Sequence, residues 1–139
     1  MPPVDSAEAR RRYRRLIDCA RKARAFAYSP YSHYKVGAAV LTVKGRIYSA
    51  ANVENASYGL SMCAERNALA KALSEGRERI AAVAVVAGGK GTPSPCGACR
   101  QVISEFGDVP VIMSNLKGSI RIEKISGLLP GAFGKAHLK

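Results

Sequence analysis

The stretch IAAVAVVA at residues 80–87 decides the fold class, because all eight of its side chains are apolar. A strand that is covered on both faces of its sheet has this pattern, whereas a half-exposed strand alternates apolar and polar residues. Eight residues are also far fewer than the roughly 20 that a helix needs to cross a bilayer. We therefore expect a central strand with helices on both faces of its sheet.

Helix and strand patterns alternate on both sides of this run. In chain order they predict a helix over 6–27, strands over 36–43 and 46–50 joined by the turn Lys44-Gly45, a helix over 62–74, the strand 80–87, a helix over 95–106, a strand over 109–113 and a short strand over 119–125. This order is typical of an α/β protein with three layers, α/β/α, and a mixed central sheet that begins with a hairpin. The length of 139 residues fits one domain, which we take to span 1–139.

The composition excludes disorder along the whole chain, since 47% of the residues are hydrophobic and 23% are charged. The net charge of +12 raises the question of a nucleic-acid partner. Eight basic and three acidic residues fall within residues 1–24, where Asp5 or Ser6 is the candidate N-cap of the first helix. Most of these arginines lie off the apolar stripe of that helix, so we favour a solvated helix face over a nucleic-acid surface.

Three of the four cysteines stand at the starts of predicted helices. Cys63 opens the helix over 62–74, and Cys96 and Cys99 lie in the first turn of the helix over 95–106. An i, i+3 pair shares one helix face, so Cys96 and Cys99 can bind one ion, and Cys63 reaches it if the two helices lie side by side. Three protein ligands leave an open fourth position, which is the pattern of catalytic rather than structural zinc.

The start of the chain has no apolar run like the core of a signal peptide. We therefore expect a cytoplasmic protein, in which cysteines serve metal binding or redox chemistry rather than disulfides. A redox pair formed by Cys96 and Cys99 is one alternative. A structural zinc that recruits Cys19 as a fourth ligand is another, although we favour a core position for Cys19.

The residues beside the cysteines indicate how a zinc site would work. Zinc makes a bound water acidic. Glu65 is too close in sequence to Cys63 to be a comfortable fourth ligand, but it can shuttle that water's proton. Zinc with three thiolates carries a net negative charge, which weakens its ability to make the bound water acidic. Arg66 and Arg100 each follow a ligand motif directly and can donate to the thiolates, and the positive ends of both helices act in the same direction.

The motifs Cys63-Ala64-Glu65 and Pro95-Cys96-Gly97-Ala98-Cys99-Arg100 resemble the signature of the zinc deaminases that act on nucleobases. Four further segments, at residues 31–39, 52–59, 99–106 and 128–133, are similar to the cytidine deaminase family. The resemblance covers about residues 10–134, and it is most specific for the short, homotetrameric form with three cysteine ligands.

This resemblance implies a cytidine-deaminase-like fold and a hydrolase that acts on the C–N bond of a cyclic amidine. The enzyme would convert cytidine and 2′-deoxycytidine into uridine and 2′-deoxyuridine with release of ammonia, a reaction of pyrimidine salvage. Cys63, Cys96 and Cys99 would hold one Zn²⁺ per subunit. A zinc-bound hydroxide would attack C4 of the base while Glu65 carries the protons. The expected assembly is a homotetramer, without membrane or nucleic-acid partners.

The resemblance also assigns contacts with the substrate. Asn52 and Glu54 would bind the ribose 3′-hydroxyl, and as i and i+2 residues of an extended segment they face the same way. Tyr34 would pack against the substrate, the backbone of Ala64 would hold the pyrimidine edge, and Phe133 would stack on the base bound by a neighbouring subunit.

Two alternatives within deaminase chemistry stay open. One is a zinc deaminase of another aminated base or nucleoside analogue, against which Asn52 and Glu54 argue because they suit a ribose. The other is a nucleic-acid-directed deaminase, which the net charge favours. The short chain argues against it, because no inserted element is present to hold a strand and no row of stacking aromatic residues along a basic groove is evident.

Overall fold

The computed structural model, which describes residues 7–138, contains the helices and strands in the predicted order. They are α1 (Ala7–Arg24), β1 (Val36–Thr42), β2 (Ile47–Ala51), α2 (Ala64–Glu75), β3 (Ile80–Ala87), α3 (Gly97–Ser104), β4 (Pro110–Asn115), β5 (Ile120–Lys124) and α4 (Ile125–Leu128). Two short 3-10 turns, Tyr58–Leu60 and Lys135–Leu138, accompany them. Helix α4 is a single turn that the sequence pattern did not indicate.

The strands form one sheet in the order β2-β1-β3-β4-β5. Strands β3 and β4 pair in parallel, and the other neighbours pair antiparallel. The parallel pair is connected by α3, whereas β1 and β2 are joined by a short turn. The prediction of a mixed sheet that begins with a hairpin is therefore confirmed.

Strand β3 divides its side chains between two hydrophobic cores. The odd-numbered residues from 83 to 87 pack with α2, α3 and α4, and the even-numbered residues from 82 to 86 pack with α1. All six of these side chains are at most 1% exposed. Because helices cover both faces of this strand, the predicted three-layer α/β/α arrangement is confirmed.

Helix α1 approaches β1 more closely than a side chain at Gly37 would allow. A Cβ atom placed on Gly37 would lie 1.9 Å from the carbonyl oxygen of Ala20 and 2.6 Å from the backbone nitrogen of Arg24. The missing side chain lets the backbone of the helix rest directly on the strand. The packing of this layer of the fold therefore depends on one glycine.

The ends of the helices differ from the predicted ends for local reasons. Helix α1 ends at Arg24 instead of residue 27, because the next three N–H groups make tight i to i−3 hydrogen bonds. This turn brings the N–H of Tyr28 to the carbonyl of Asn52, at 3.0 Å. Asp5 and Ser6, the candidate N-caps, lie outside the described residues. None of the helices within residues 7–138 combines the length and apolarity of a membrane span.

Candidate active site

Three cysteines meet where α2 and α3 begin. Cys63 is the N-cap residue of α2, Cys96 is the N-cap residue of α3, and Cys99 lies in the first turn of α3. Neither N-cap residue caps its helix through a side-chain hydrogen bond, so both sulfurs turn toward each other instead. The Sγ atoms of Cys63 and Cys96 are 3.7 Å apart, and those of Cys96 and Cys99 are 3.5 Å apart.

The spacing of these sulfurs fits a zinc ion. All three Sγ atoms lie within 4.8 Å of one another. Thiolates at about 2.3 Å from a tetrahedral zinc ion are about 3.8 Å from each other, which is close to the two shorter separations. Thiolate is also a ligand that zinc prefers, and the positive ends of two helices favour the ionised form. Cys63, Cys96 and Cys99 can therefore hold Zn²⁺ and leave a fourth position open.

Cys19 lies away from this cluster. Its side chain, on α1, packs with the core on the sheet face that α1 covers, whereas α2 and α3 cover the other face. It is half-buried there, as expected for a small apolar residue. The alternative of a structural zinc site with Cys19 as fourth ligand is therefore excluded by its position.

Arg66 lies beside the cysteine cluster. Its Nη2 atom is 3.8 Å from the Sγ atom of Cys63 and 3.4 Å from the carbonyl oxygen of Ser61. Hydrogen bonds from Cys99 and Arg66 lower the pKa of the Cys63 thiol to about 5, against the opposing effect of burial. The hydrogen bond between Cys99 and Cys63, together with burial, raises the pKa of the Cys99 thiol. Cys99 and the Arg66 guanidinium therefore favour the ionised form of Cys63, which is the form that binds zinc.

Arg100 makes its hydrogen bonds elsewhere. Its Nε atom donates to the carbonyl of Pro95 at 2.8 Å, its Nη1 atom to the carbonyl of Leu128 at 2.7 Å, and its Nη2 atom to the hydroxyl of Ser94 at 2.6 Å. These bonds join the start of α3 to the preceding loop and to the end of α4. None of the three acceptors is a cysteine sulfur, so the expected donation to the thiolates has geometric support at Arg66 and not at Arg100.

Replacing Arg66 by glutamine should make the zinc site more sensitive to acid. Loss of the cation raises the pKa of the Cys63 thiol, so protons displace zinc at a higher pH. We expect the pH midpoint of zinc release, followed with a colorimetric indicator during acid titration, to rise by about one pH unit. The acid limb of the pH–activity profile should shift to higher pH by a similar amount. Arg100→Gln removes the same charge and should shift the midpoint much less. Equal shifts in the two variants would contradict a direct effect of Arg66 on the thiolate.

Glu65 is the second residue of α2, and only 4% of its surface is exposed. Burial, with a further contribution from the nearby Cys63 thiolate, raises the pKa of its carboxyl group to about 7. A carboxyl group with this pKa takes up and releases a proton at neutral pH. This is the property that a general acid–base catalyst needs.

A pocket of about 260 Å³ opens beside the cysteine cluster. The predicted site residues that line it are Tyr34, Asn52, Glu54, Cys63, Ala64, Glu65 and Cys96. The lining residues that sequence reasoning missed are Ser32, Val36, Ser61, Met62, Val85, Pro93 and Ser94. Cys99 is buried next to the other two cysteines. The structure therefore brings Cys63, Cys96, the Glu65 carboxyl group and the predicted sugar contacts to one cavity.

Asn52 organises one wall of this pocket. Its Oδ1 atom accepts the N–H of Val36 at 2.9 Å, and its Nδ2 atom donates to the carbonyl of Tyr34 at 2.9 Å. Both polar atoms of the buried amide thus hold the backbone that carries Tyr34. The amide oxygen keeps a second lone pair that can still accept a hydroxyl group.

Glu54 holds the adjoining turn. Its Oε1 atom accepts the N–H groups of Tyr31 and Ser32 at 3.0 and 3.1 Å, and its Oε2 atom accepts the hydroxyl of Ser32. These bonds, chiefly the one from the Ser32 hydroxyl, lower the pKa of the Glu54 carboxyl group. A carboxylate has about four acceptor sites, so one remains on Oε2 for a substrate hydroxyl. Sequence reasoning missed Ser32 because its partner is 22 positions away in the chain.

Phe133 lies outside the pocket of its own chain, as the described residues define that pocket. Its ring is 57% exposed and stacks on His137 with 5.4 Å between the ring centroids. The side chain of Gln101 donates to the carbonyl of Phe133 at 2.9 Å and fixes the backbone there. Within one chain, therefore, Phe133 does not line the pocket that Tyr34, Asn52 and Glu54 line.

Comparison with known proteins finds a match to one family over most of the chain. The family model for the cytidine and deoxycytidylate deaminase zinc-binding region matches residues 10–115. This range includes both cysteine motifs and Glu65.

Individual relatives match over most of their length. A cytidine deaminase from Sporosarcina psychrophila is 52% identical over 126 residues, which cover 89% of this chain and 93% of that protein. A cytidine deaminase from Halalkalibacterium halodurans is 54% identical over 120 residues, covering 85% of this chain and 91% of that protein. The crystal structure of cytidine deaminase from Burkholderia pseudomallei is similar with a TM-score of 0.83 at 48% identity, covering 87% of this chain and 98% of that one.

Proposed function

Because the chain belongs to the cytidine and deoxycytidylate deaminase family, we propose that it hydrolyses the amino group of cytidine and 2′-deoxycytidine. The products are uridine or 2′-deoxyuridine and ammonia. As a member of this family the chain is a zinc-dependent deaminase. The observation that carries the choice of reaction is the buried Glu65 carboxyl group, which lines the same pocket as the zinc ligands Cys63 and Cys96.

Different residues of the chain carry out different parts of the proposed reaction. Zinc held by the three thiolates lowers the pKa of water and so supplies a nucleophile near neutral pH. Glu65 takes one proton from the attacking water and delivers it to N3 of the cytosine ring. It then takes the second proton of that water and delivers it to the amino group, which leaves as ammonia when its bond to C4 breaks. Its raised pKa suits both steps, because the carboxyl group changes protonation state close to neutral pH.

The start of α2 supports binding of the base. The first N–H groups of an α-helix have no partner within the helix, so the N–H of Ala64 is available to a carbonyl oxygen of the pyrimidine. Tyr34 lines the same pocket and offers an aromatic ring to pack against the base. Asn52 and Glu54 lie in the same pocket and hold acceptor sites for the ribose 3′-hydroxyl.

Ammonia release from cytidine by the zinc-loaded protein is the first test. We expect release that a zinc chelator abolishes and that added zinc restores. No release from a zinc-loaded sample would contradict the proposal. A screen of other aminated bases and nucleoside analogues, and then of single-stranded nucleic acid, would follow in that case.

The role of Glu54 can be tested with a matched pair of substrates. Replacing Glu54 by glutamine should raise KM for 2′-deoxycytidine by roughly tenfold with little change in kcat, because a charged acceptor for the 3′-hydroxyl is lost. For 2′,3′-dideoxycytidine, which has no 3′-hydroxyl, the same variant should match the unchanged protein in KM. An equal rise in KM for both substrates would show that Glu54 acts only through the Tyr31–Ser32 turn.

We propose that the functional assembly is a homotetramer. Several large apolar side chains near the pocket or in neighbouring loops are exposed in the single chain: Phe26, Tyr28, Tyr31, Tyr58, Leu60, Met62 and Phe133. Exposed apolar surface of this kind marks interaction sites. Phe133 in particular would reach the pocket of a neighbouring subunit, where its ring can cover the base. Sedimentation equilibrium should give about four times the chain mass of 14.8 kDa.

Mixing two inactive variants would test whether Phe133 acts across subunits. Phe133→Ala and Glu65→Ala proteins, unfolded and refolded together, should recover activity that neither has alone. A mixed tetramer contains pockets with Glu65 from one chain and Phe133 from the other. Two co-refolded preparations of the same variant are the control. Absence of recovery, with mixed tetramers present by mass spectrometry, would place Phe133 outside the neighbour's pocket.

We also propose that the reaction takes place in the cytoplasm and serves pyrimidine salvage, on free nucleosides rather than nucleic acid. None of the four cysteines forms a disulfide in the structure, which suits a reducing compartment. Activity on cytidine and none on cytosines within single-stranded DNA is the expected pattern of substrates.

A further inference from the structure

A second cavity, of about 400 Å³, lies beside α1, the helix that covers the sheet face opposite α2 and α3. One wall is the side of α1. The other wall is formed by Ser114 at the end of β4, Gly118 in the β4–β5 turn and Ile120 at the start of β5. This cavity, which we call the arginine groove, shares no lining residue with the active-site pocket.

Arginines dominate the helix wall of the groove. Arg10, Arg14 and Arg21 follow one another at steps of four and seven residues, so they lie on one face of α1. The row extends for about 16 Å, at 1.5 Å per residue. Arg11 also lines the groove. The row continues past Ile17, which with Ile120 gives the groove an apolar floor between the guanidinium groups.

Two of these arginines are held against the opposite wall. The Nη2 atom of Arg21 donates to the carbonyl of Leu116 at 3.1 Å. The Nη1 atom of Arg10 lies 3.4 Å from the position that a Cβ atom on Gly118 would occupy, so this guanidinium rests on the turn. The charged groups at both ends of the row are thus placed at the groove. Part of the entropy cost of ordering them for a ligand is already met by the fold.

The charge of the groove calls for an anion. Asp18 is the one acidic side chain among the described residues that line it, against four arginines, which leaves a net charge of +3. All the cations are arginines, whose planar guanidinium groups bind phosphate oxygens in pairs.

The dimensions indicate which anion fits. One phosphate group can contact only neighbouring arginines, which are about 6 Å apart along the helix, whereas the row is more than twice as long. A volume of about 400 Å³ falls within the range of small-molecule sites. A double helix has no such compact group to insert. We propose that the arginine groove binds the di- or triphosphate group of a small molecule, either inorganic or carried by a nucleotide.

Calorimetric titration of the zinc-loaded protein with inorganic triphosphate and with adenosine triphosphate, both without Mg²⁺, tests this proposal. Adenosine triphosphate is chosen because a purine does not match the proposed pyrimidine site. We expect saturable binding of one molecule per chain. Equal affinities would show that the triphosphate group makes all the contacts with the groove. Tighter binding of the nucleotide would indicate that its base also contacts Ile17 and Ile120. Absence of saturable binding would overturn the proposal.

A pair of adjacent arginines provides matched variants. Arg14→Gln removes a guanidinium from the groove and should weaken binding by roughly tenfold or more. Arg15→Gln removes the same charge one position further along α1, at a residue that does not line the groove, and should weaken binding by less than about twofold. Equal losses of affinity in the two variants would show that the arginines act only as a solvated charged face, and would overturn the proposal.

Two further measurements separate this site from other functions. Glu65→Ala should bind triphosphate as the unchanged protein does, so failure of the proposed deamination and failure of this proposal are distinguishable. A single-stranded DNA oligonucleotide is the competing ligand. If it binds more tightly than triphosphate, with equal sensitivity to Arg14→Gln and Arg15→Gln, then the basic helix is a nucleic-acid surface and the proposal fails.

Discussion

Replacing Glu65 by glutamine should lower kcat by about a thousandfold or more while the protein keeps its fold and its zinc. General acid–base catalysis contributes about 10² to 10⁴ in rate, and in the proposed reaction one carboxyl group serves two proton transfers. Glutamine has nearly the same shape but cannot exchange a proton at neutral pH. The side chain at position 65 is almost fully buried in the pocket wall, so solvent water has little access to take over the proton transfers.

Steady-state kinetics with cytidine, together with zinc content and thermal unfolding, would check this expectation. Glu75→Gln is the matched control, since Glu75 lies at the other end of α2 and is exposed. It should leave kcat unchanged. Turnover of Glu65→Gln within tenfold of the unchanged protein would remove Glu65 from the proton transfers. Loss of zinc from the variant would instead give Glu65 a part in holding the metal centre.

Replacing Gly37 by alanine should destabilise the fold by about 3 kcal/mol or more, at the upper end of what overpacking of a core costs. The added methyl group would lie 1.9 Å from the Ala20 carbonyl oxygen, a distance that no rotamer change can relieve. Both contacting groups are backbone atoms, so the clash is removed only if α1 moves away from β1. That movement opens the core that α1 shares with β3.

Chemical denaturation would measure this effect, with Gly91→Ala as its control. A Cβ atom on Gly91 meets no atom within 4 Å, so that substitution should change the free energy of unfolding by less than about 1 kcal/mol. A comparably small change for Gly37→Ala would mean that α1 and β1 are not packed backbone to backbone in solution.

The sequence predicted the parts of this molecule that follow from local patterns. The apolar run over 80–87 indicated a strand covered on both faces, and its side chains enter two cores. The spacing of Cys96 and Cys99, with Cys63 at another helix start, indicated a shared ion, and the three sulfurs lie within 4.8 Å of one another. The strand and the Cys96–Cys99 pair depend on a few neighbouring residues, whereas Cys63, 33 positions from Cys96, joins that pair because it stands at the start of another helix.

Features that depend on distant partners escaped prediction. Arg100 follows a cysteine ligand in sequence, but a loop hydroxyl and two carbonyl groups, one of them 28 positions away, are its partners. The link between Ser32 and Glu54 arises in the same way. The turn after Arg24, which ends α1, places the N–H of Tyr28 on the carbonyl of Asn52, in a different part of the chain. No helix periodicity contains that information.

A metal ion bound by both Cys63 and Cys96 cross-links two distant parts of the chain, in addition to its part in the proposed reaction. The two residues are 33 positions apart, so an ion held by both closes a long loop that contains α2 and β3. An unfolded chain that releases the ion gains the freedom of that loop, as it does when a disulfide is cut. At a free zinc concentration 100 times the dissociation constant, binding adds about 2.7 kcal/mol to the free energy of unfolding. The heat resistance of this protein is then set partly by the zinc supply around it.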